Sequence, residues 1–278
     1  MSSILVFGAS GAVGHWLLPQ LTAAHRVTGV SRATTDQPGW LRADINDADI
    51  AWPAAEVVIS LGPLDAFAAW LERRHDPALR RIVALSSMSA ETKRDSAEAA
   101  ERELAARLGA AEQSLLRVGT ERGISVTLFR PTLIYGAGTD ASLAPIARAA
   151  RRFRVLPVPV GAKGLRQPVH ARDLAGACRA VLDNAATYGR TYPLGGGERL
   201  SFAAMIGRLR ACVAGPVLRL PVPIFALRLA RAAMRGAPGD AAIARLREPL
   251  IADNSAAARD FGYAPGPFDP RAVLPPPE

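Results

Sequence analysis

Short apolar runs alternate with longer amphipathic stretches through the first half of the chain. The runs at 3–7, 26–30, 56–61, 81–86 and 124–129 read as strands. Helices are predicted between them, near 12–24, 64–75 and 96–121. The last of these is rich in Ala, Glu, Leu and Arg, all strong helix formers. The strands are apolar throughout rather than alternating, so they are expected to be buried on both faces. Strand–helix alternation of this kind predicts a parallel sheet with helices on both sides.

From Pro131 the pattern changes. Turn residues thicken at 135–138, 157–164 and 192–197, and helices are predicted at 140–152, 172–183, 201–213 and 224–235. No linker separates this part from the first. It reads as a smaller cap folded onto the C-terminal edge of the sheet.

The first strand leads directly into Gly8-Ala9-Ser10-Gly11-Ala12-Val13-Gly14, which opens the first helix. Glycines spaced three apart between a strand and a helix suit a dinucleotide. The turn is tight, and a side chain would keep the pyrophosphate away from the backbone N–H groups and the helix N-terminus. The α/β class thereby becomes a Rossmann-type, doubly wound parallel sheet with a small C-terminal substrate cap. The dinucleotide-binding core is expected over 1–135, with 165–195 returning to it, and the cap over 136–164 and 196–278.

The second strand closes in Ser31-Arg32. A carboxylate there would hold the ribose hydroxyls of NAD(H), whereas a hydroxyl followed by a guanidinium suits a 2′-phosphate. NADP(H) is therefore favoured, with NAD(H) the alternative.

Composition changes this picture little. Over 278 residues, 49% hydrophobic content provides for a substantial core, and the net charge is +9. Nearly all the positive charge is Arg, in a chain also rich in Ala, Gly and Pro, which reads as compositional bias. No nucleic-acid-binding motif accompanies it, so no nucleic-acid partner is expected. Cys178 and Cys212 match no metal spacing or disulfide framework, and no His, Cys and carboxylate grouping suggests a metal. The chain shows neither a secretory leader nor an apolar stretch of about 18 residues, so a cytoplasmic location is expected.

Seven segments in order resemble the extended and atypical short-chain dehydrogenase/reductase superfamily, in its epimerase/dehydratase-like branch. They are Gly8–Gly14, Arg42-Ala43-Asp44, Ser60-Leu61-Gly62, Leu85-Ser86-Ser87, Arg130 through Gly136, Arg166 through Ala175, and Ser255–Ala258 with Phe261-Gly262-Tyr263-Ala264-Pro265. The resemblance implies that Gly8, Ser10, Gly11, Ala12, Val13 and Gly14 cradle the cofactor. It implies that Asp44 holds the adenine amine and that Leu61 and Gly62 flank the adenosine ribose. Ser86, Pro131 and Thr132 fall on the cofactor side of the site, and Arg166 matches an arginine that touches substrate diphosphate. A homodimer through the helices after the fourth and fifth strands is implied by the same likeness.

One departure matters. Catalytic members use Tyr-x-x-x-Lys on the helix after the fifth strand. The tyrosines here are Tyr135, Tyr188, Tyr192 and Tyr263, and none has lysine four residues on. The loop after the fifth strand, Ser86 through Arg94, leaves the sheet at its ligand-binding edge. Lys93 and Lys163 are the two lysines in a chain that otherwise uses Arg, which marks Lys93 as an ammonium kept for its compactness and its tunable pKa. Ser87 and Lys93 are the catalytic candidates, with Ser89 placed on the substrate. Tyr135 is a further candidate acid, although a phenol near pKa 10 is a poor one.

In the basic segment 218–235, Arg228, Arg231 and Arg235 share one face of a predicted helix. That pattern suits peripheral contact with the inner face of an anionic membrane, and equally a cap helix on its own core. Together the features predict an NADP(H)-binding atypical member of the superfamily. It would be an oxidoreductase or epimerase-like enzyme with nonstandard proton transfer. Its small-molecule substrate would be a nucleotide-, phosphate- or lipid-linked sugar or a related carbonyl compound. The alternative is a non-catalytic NAD(P)-binding regulator or structural subunit.

Overall fold

The computed structural model describes residues 1–33, 37–47, 49–136, 138, 140, 142–223, 226 and 246–274. The chain opens with β1 (Ser3–Phe7), α1 (Ala12–Thr22), β2 (Arg26–Ser31), β3 (Trp40–Arg42), β4 (Val57–Ser60), α2 (Leu64–Arg73) and β5 (Arg81–Leu85). A one-turn helix α3 (Ser89–Thr92) and the long α4 (Ala99–Arg122) lead to β6 (Ser125–Pro131) and β7 (Ile134–Tyr135). Next come α5 (Ala144–Phe153), β8 (Val155–Val160), β9 (Leu165–Arg166), β10 (Val169–His170) and α6 (Ala171–Ala180). The described chain then forms β11 (Arg190–Leu194), β12 (Leu200–Ser201), α7 (Phe202–Arg208), β13 (Leu218–Pro223) and α8 (Ser255–Phe261).

Among the described residues, seven strands form one parallel sheet in the order β11-β6-β5-β4-β1-β2-β3. The direction of winding reverses between β1 and β4, which leaves a crevice at the C-terminal ends of the strands, where open α/β sheets bind ligands. Successive side chains of β1 serve opposite faces. Ile4 and Val6 pack with Leu17 and Leu21 of α1 and Leu174 of α6. Leu5 and Phe7 pack with Phe67, Trp70 and Leu71 of α2 and Leu115 of α4. Burial on both faces explains why these strands read as unbroken apolar runs.

Three elements differ from the sequence expectation, the first being strand β8, which takes up Pro157–Val160 of the turn expected at 157–164. Residues 192–197 were expected as a turn, yet Tyr192–Leu194 completes β11, paired with β6. Pro193 lacks the N–H of an inner strand, and β11 tolerates it as the edge of the sheet. Leu218–Pro223, the first part of the predicted basic amphipathic segment, is strand β13, parallel to β8. Prolines at 221 and 223 break a helix but fit a two-stranded ribbon, where both strands are edges. The rest of that segment, with Arg228, Arg231 and Arg235, lies outside the described residues apart from Ala226.

A third apolar cluster lies apart from the two faces of the sheet. It joins Leu143, Ala147, Leu156, Met205, Ile206, Phe268 and Val273. The predicted helix at 140–152 begins later, at Ala144. The Asp140 carboxylate accepts the amides of Ser142, Leu143 and Ala144 at 3.0, 2.6 and 3.1 Å, and so closes the turn before it. Cys178 and Cys212 are both buried free thiols. No helix among the described residues is long and apolar enough to cross a membrane.

Candidate functional site

Three adjoining cavities, of about 310, 480 and 790 Å³, run along the C-terminal edge of the sheet. The first and second share Gly8, Gly11 and Leu61, and the second and third share Ser89, Leu133, Ser142 and Leu250. Together they form one cleft from the end of β2 to the third apolar cluster.

The glycine turn forms the middle of its floor. Gly8 has φ +71°, and a Cβ there would stand 3.0 Å from the backbone of Leu61 and Gly62 after β4. Both the conformation and the close approach require glycine. A Cβ on Gly14 would stand 2.1 Å from the Ala9 carbonyl oxygen, so this glycine lets α1 pack directly on the turn. No side chain caps α1 at Gly11. Its first-turn N–H groups and the positive end of its dipole are thus disposed toward an anion, and the turn fits the pyrophosphate of a dinucleotide.

At the smallest cavity the structure brings together Ser10, Ser31, Arg32, Asp44 and Gly62. The Ser31 hydroxyl donates to Ser10 Oγ at 3.2 Å and accepts the Ala33 amide, fixing the corner where β2 ends. Asp44 accepts the backbone and side-chain N–H groups of Asn46 through one carboxylate oxygen.

Ala12, Val13, Ser87, Ser89, Pro131 and Thr132 line the central cavity. The Met88 amide donates to the Pro131 carbonyl at 3.1 Å, tying the loop after β5 to the end of β6. Ser87 Oγ accepts the Ser89 amide and starts α3. The Thr132 hydroxyl donates to the Gln167 carbonyl. Ser89 lies at the junction with the largest cavity, and Lys93, four residues on, lines only that cavity. The Lys93 ammonium sits 3.3 Å from a Glu101 carboxylate oxygen on α4. Arg166 lies in the same wall, its guanidinium 5.3 Å from the Phe202 ring centroid and donating to the Leu165 and Glu248 carbonyls. Burial lowers its pKa.

Three predicted residues stand away from the cavity walls. Gly14 packs beneath the turn. Ser86 directs its hydroxyl to Glu112 on α4. Tyr135 is 1% exposed between His170 and Phe268, and its hydroxyl accepts the Asp269 amide at 3.0 Å. Burial pushes its pKa up to about 12.

The sequence reading missed a brace beneath the cleft. Glu112 accepts from Ser86 and from two nitrogens of Arg130, and Arg130 also reaches Glu91. The one available signal was position. Glu112 falls on the helix face that carries Ala105, Leu108 and Leu115, so it is a charge in an apolar stripe. Leu250, which lines two cavities from far along the chain, carried no such signal.

This architecture can be set beside known proteins. A short-chain dehydrogenase/reductase superfamily protein from Agrobacterium tumefaciens with bound NAD superposes with a TM-score of 0.70 at 15% identity, over 98% of this chain and 94% of that one. The two chains share one fold. UDP-glucuronic acid 4-epimerase from Bacillus cereus in complex with NAD gives 0.70 at 16% identity, over 98% of this chain and 94% of that one. RMD from Pseudomonas aeruginosa complexed with NADPH gives 0.68 at 17%, over 98% and 97%. In sequence, UDP-glucose 4-epimerase from Vibrio cholerae is 26% identical over 121 residues, which is 43% of this chain. The matched stretch spans 36% of that epimerase's length. No family model matches the chain.

Proposed function

We propose that this chain is an NADP(H)-dependent oxidoreductase or epimerase-like enzyme, acting on a nucleotide-, phosphate- or lipid-linked sugar or a related carbonyl compound. The observation that carries the reading is the continuous cleft from Ser31 and Arg32, past the glycine turn, to Ser89 and Lys93. Gly8, Gly11 and the first turn of α1 would hold the pyrophosphate, and Asp44, Leu61 and Gly62 the adenosine half. β2 ends in a hydroxyl and a guanidinium without a carboxylate, which favours a 2′-phosphate. Pro131 and Thr132 would border the nicotinamide.

A bound nicotinamide supplies a hydride to a carbonyl carbon, or takes one from a carbinol. The proton at oxygen is the work of the protein. Lys93, set against Glu101, keeps an ammonium at the rim of the larger cavity, and Ser89 offers a hydroxyl one helical turn earlier. Ser87 borders the same central space, with its oxygen engaged by the Ser89 amide. Tyr135 is assigned a packing role, because its raised pKa and its bond from Asp269 suit a fixed strut.

The absence of any Tyr-x-x-x-Lys favours a second reading, a non-catalytic NAD(P)-binding regulator or subunit. Turnover separates the two. NADPH oxidation is measured over a panel of carbonyl compounds, with wild type and Lys93→Met. The enzyme reading expects consumption of NADPH and a fall in kcat of about a hundredfold in Lys93→Met, the lower end for a general acid. NADPH binding without oxidation of any substrate leaves the regulator.

A further inference from the structure

The largest cavity has a mostly apolar lining among the described residues. Ten of its sixteen described lining residues are apolar, among them Leu133, Ile146, Phe202, Ile206 and Val222. The ten include Pro157 and Pro159, which share a face of β8 two residues apart, with Val222 of β13 in register with Pro159. Proline has no side-chain rotamer freedom to lose, so this wall is preformed for contact with an apolar surface. The charged groups in the wall are Lys93, Arg166 and Glu248, and the first two already have protein partners. At about 790 Å³ the space matches the roughly 300–1,000 Å³ of sites for drug-sized ligands. A nucleoside diphosphate placed here would lose hydration on its phosphates and base edges, against described lining residues that offer the hydroxyls of Ser89, Thr92 and Ser142 beside these three charged groups. A hydrocarbon body would lose only its contact with water.

Resting on the reading of this cleft as a nicotinamide-dependent carbonyl site, we propose that the outer cavity takes substrates whose body is hydrocarbon. The reacting carbonyl or carbinol would lie at the Ser89 end and the apolar remainder against Pro157, Pro159, Ile206 and Val222.

The test separates binding from turnover. A homologous series of straight-chain 2-ketones, and UDP-glucose beside it, competes with the fluorescent apolar dye anilinonaphthalene sulfonate for the protein. Affinity should rise about fourfold per added methylene, equivalent to about 0.8 kcal/mol, until the cavity is filled, while UDP-glucose leaves the dye in place. Val222→Asp and Ile146→Asn, on different walls, should each flatten the rise, so the failure of one variant to fold leaves the other. Displacement by UDP-glucose with no dependence on chain length would overturn the proposal. Cofactor turnover is the second readout, as NADPH oxidation by the ketones and NADP+ reduction by UDP-glucose. A chain-length dependence in binding with no NADPH consumed sustains the hydrocarbon site and removes the oxidoreductase reading. Reduction of NADP+ by UDP-glucose, with no NADPH consumed by any ketone, does the reverse.

Discussion

Arg130 at the end of β6 donates to both carboxylate oxygens of Glu112 on α4, with Nε at 2.9 Å from Oε1 and Nη2 on Oε2. Both side chains are largely buried, and the contact with Glu112 raises the Arg130 pKa. The same carboxylate takes the Ser86 hydroxyl, so a helix, the end of β6 and the loop after β5 meet on one residue. Fork-to-fork pairing of this kind fixes orientation as well as distance.

Removing one partner of a buried pair strands the other, which costs about 3–5 kcal/mol, whereas replacing both costs less. Glu112→Gln is therefore expected to lose about 3 kcal/mol in urea unfolding. The double variant Glu112→Met with Arg130→Met should be more stable than Glu112→Gln alone. A loss under about 1 kcal/mol in Glu112→Gln would show that the pair is solvated and holds nothing in place.

The glycines of the chain separate into those that touch and those that do not. Gly14→Ala drives a methyl into the Ala9 carbonyl. It should cost about 2 kcal/mol by overpacking and weaken NADPH binding by shifting the start of α1. Gly109, inside α4, has nothing within 4 Å of the same added carbon. Gly109→Ala should gain about 1 kcal/mol from helix propensity alone and leave NADPH affinity unchanged. Thermal melts with and without NADPH read both effects, and equal behaviour of the two variants would contradict the packing described for the turn.

His170 ends β10 and caps α6, with Nδ1 accepting the Arg172 amide at 2.9 Å and the ring packed on Tyr135 and Trp16. Burial lowers its pKa, opposed by the charges of Asp173 and Asp269 and aided by that of Arg172. In the unfolded chain its value returns to about 6.5. Below that value the unfolded state takes up a proton that the folded state refuses. Stability is thus full above about pH 6.5 and is lost as pH falls toward the lowered folded value. Urea unfolding at about pH 7.5 and 5.5 should show this loss in wild type and a smaller one in His170→Asn, which keeps an acceptor for the amide. An equal pH dependence in both proteins would assign the effect to other groups.

Much of the fold is legible in the sequence because burial on both faces leaves a direct trace. β1, β2, β4, β5 and β6 are apolar runs, and α1, α2 and α4 fill the intervals between them. Elements at edges leave a weaker one. β11 hides behind Pro193, and β8 and β13 look like proline-rich loops because neither is an inner strand. The glycine turn and the Ser31-Arg32 corner are contiguous motifs and could be read directly. The Glu112–Arg130 pair joins a helix to a strand, and the outer cavity is assembled from residues between Ser89 and Leu250. Local periodicity cannot express such long-range meetings. Ser86 shows the limit well. It stands in the expected loop, but one residue from Ser87 its side chain turns to the helix instead of the cleft.

On the proposed reading, the Gly8–Gly14 turn and the Ser31-Arg32 corner hold NADP(H). Titration calorimetry of NADPH and NADH against wild type and Arg32→Ala tests it most directly. The account predicts that wild type binds NADPH at least about tenfold more tightly than NADH, about 1.4 kcal/mol, and that Arg32→Ala brings NADPH down to the NADH level. Binding of neither nucleotide to wild type, or an NADPH affinity indifferent to Arg32, would contradict it.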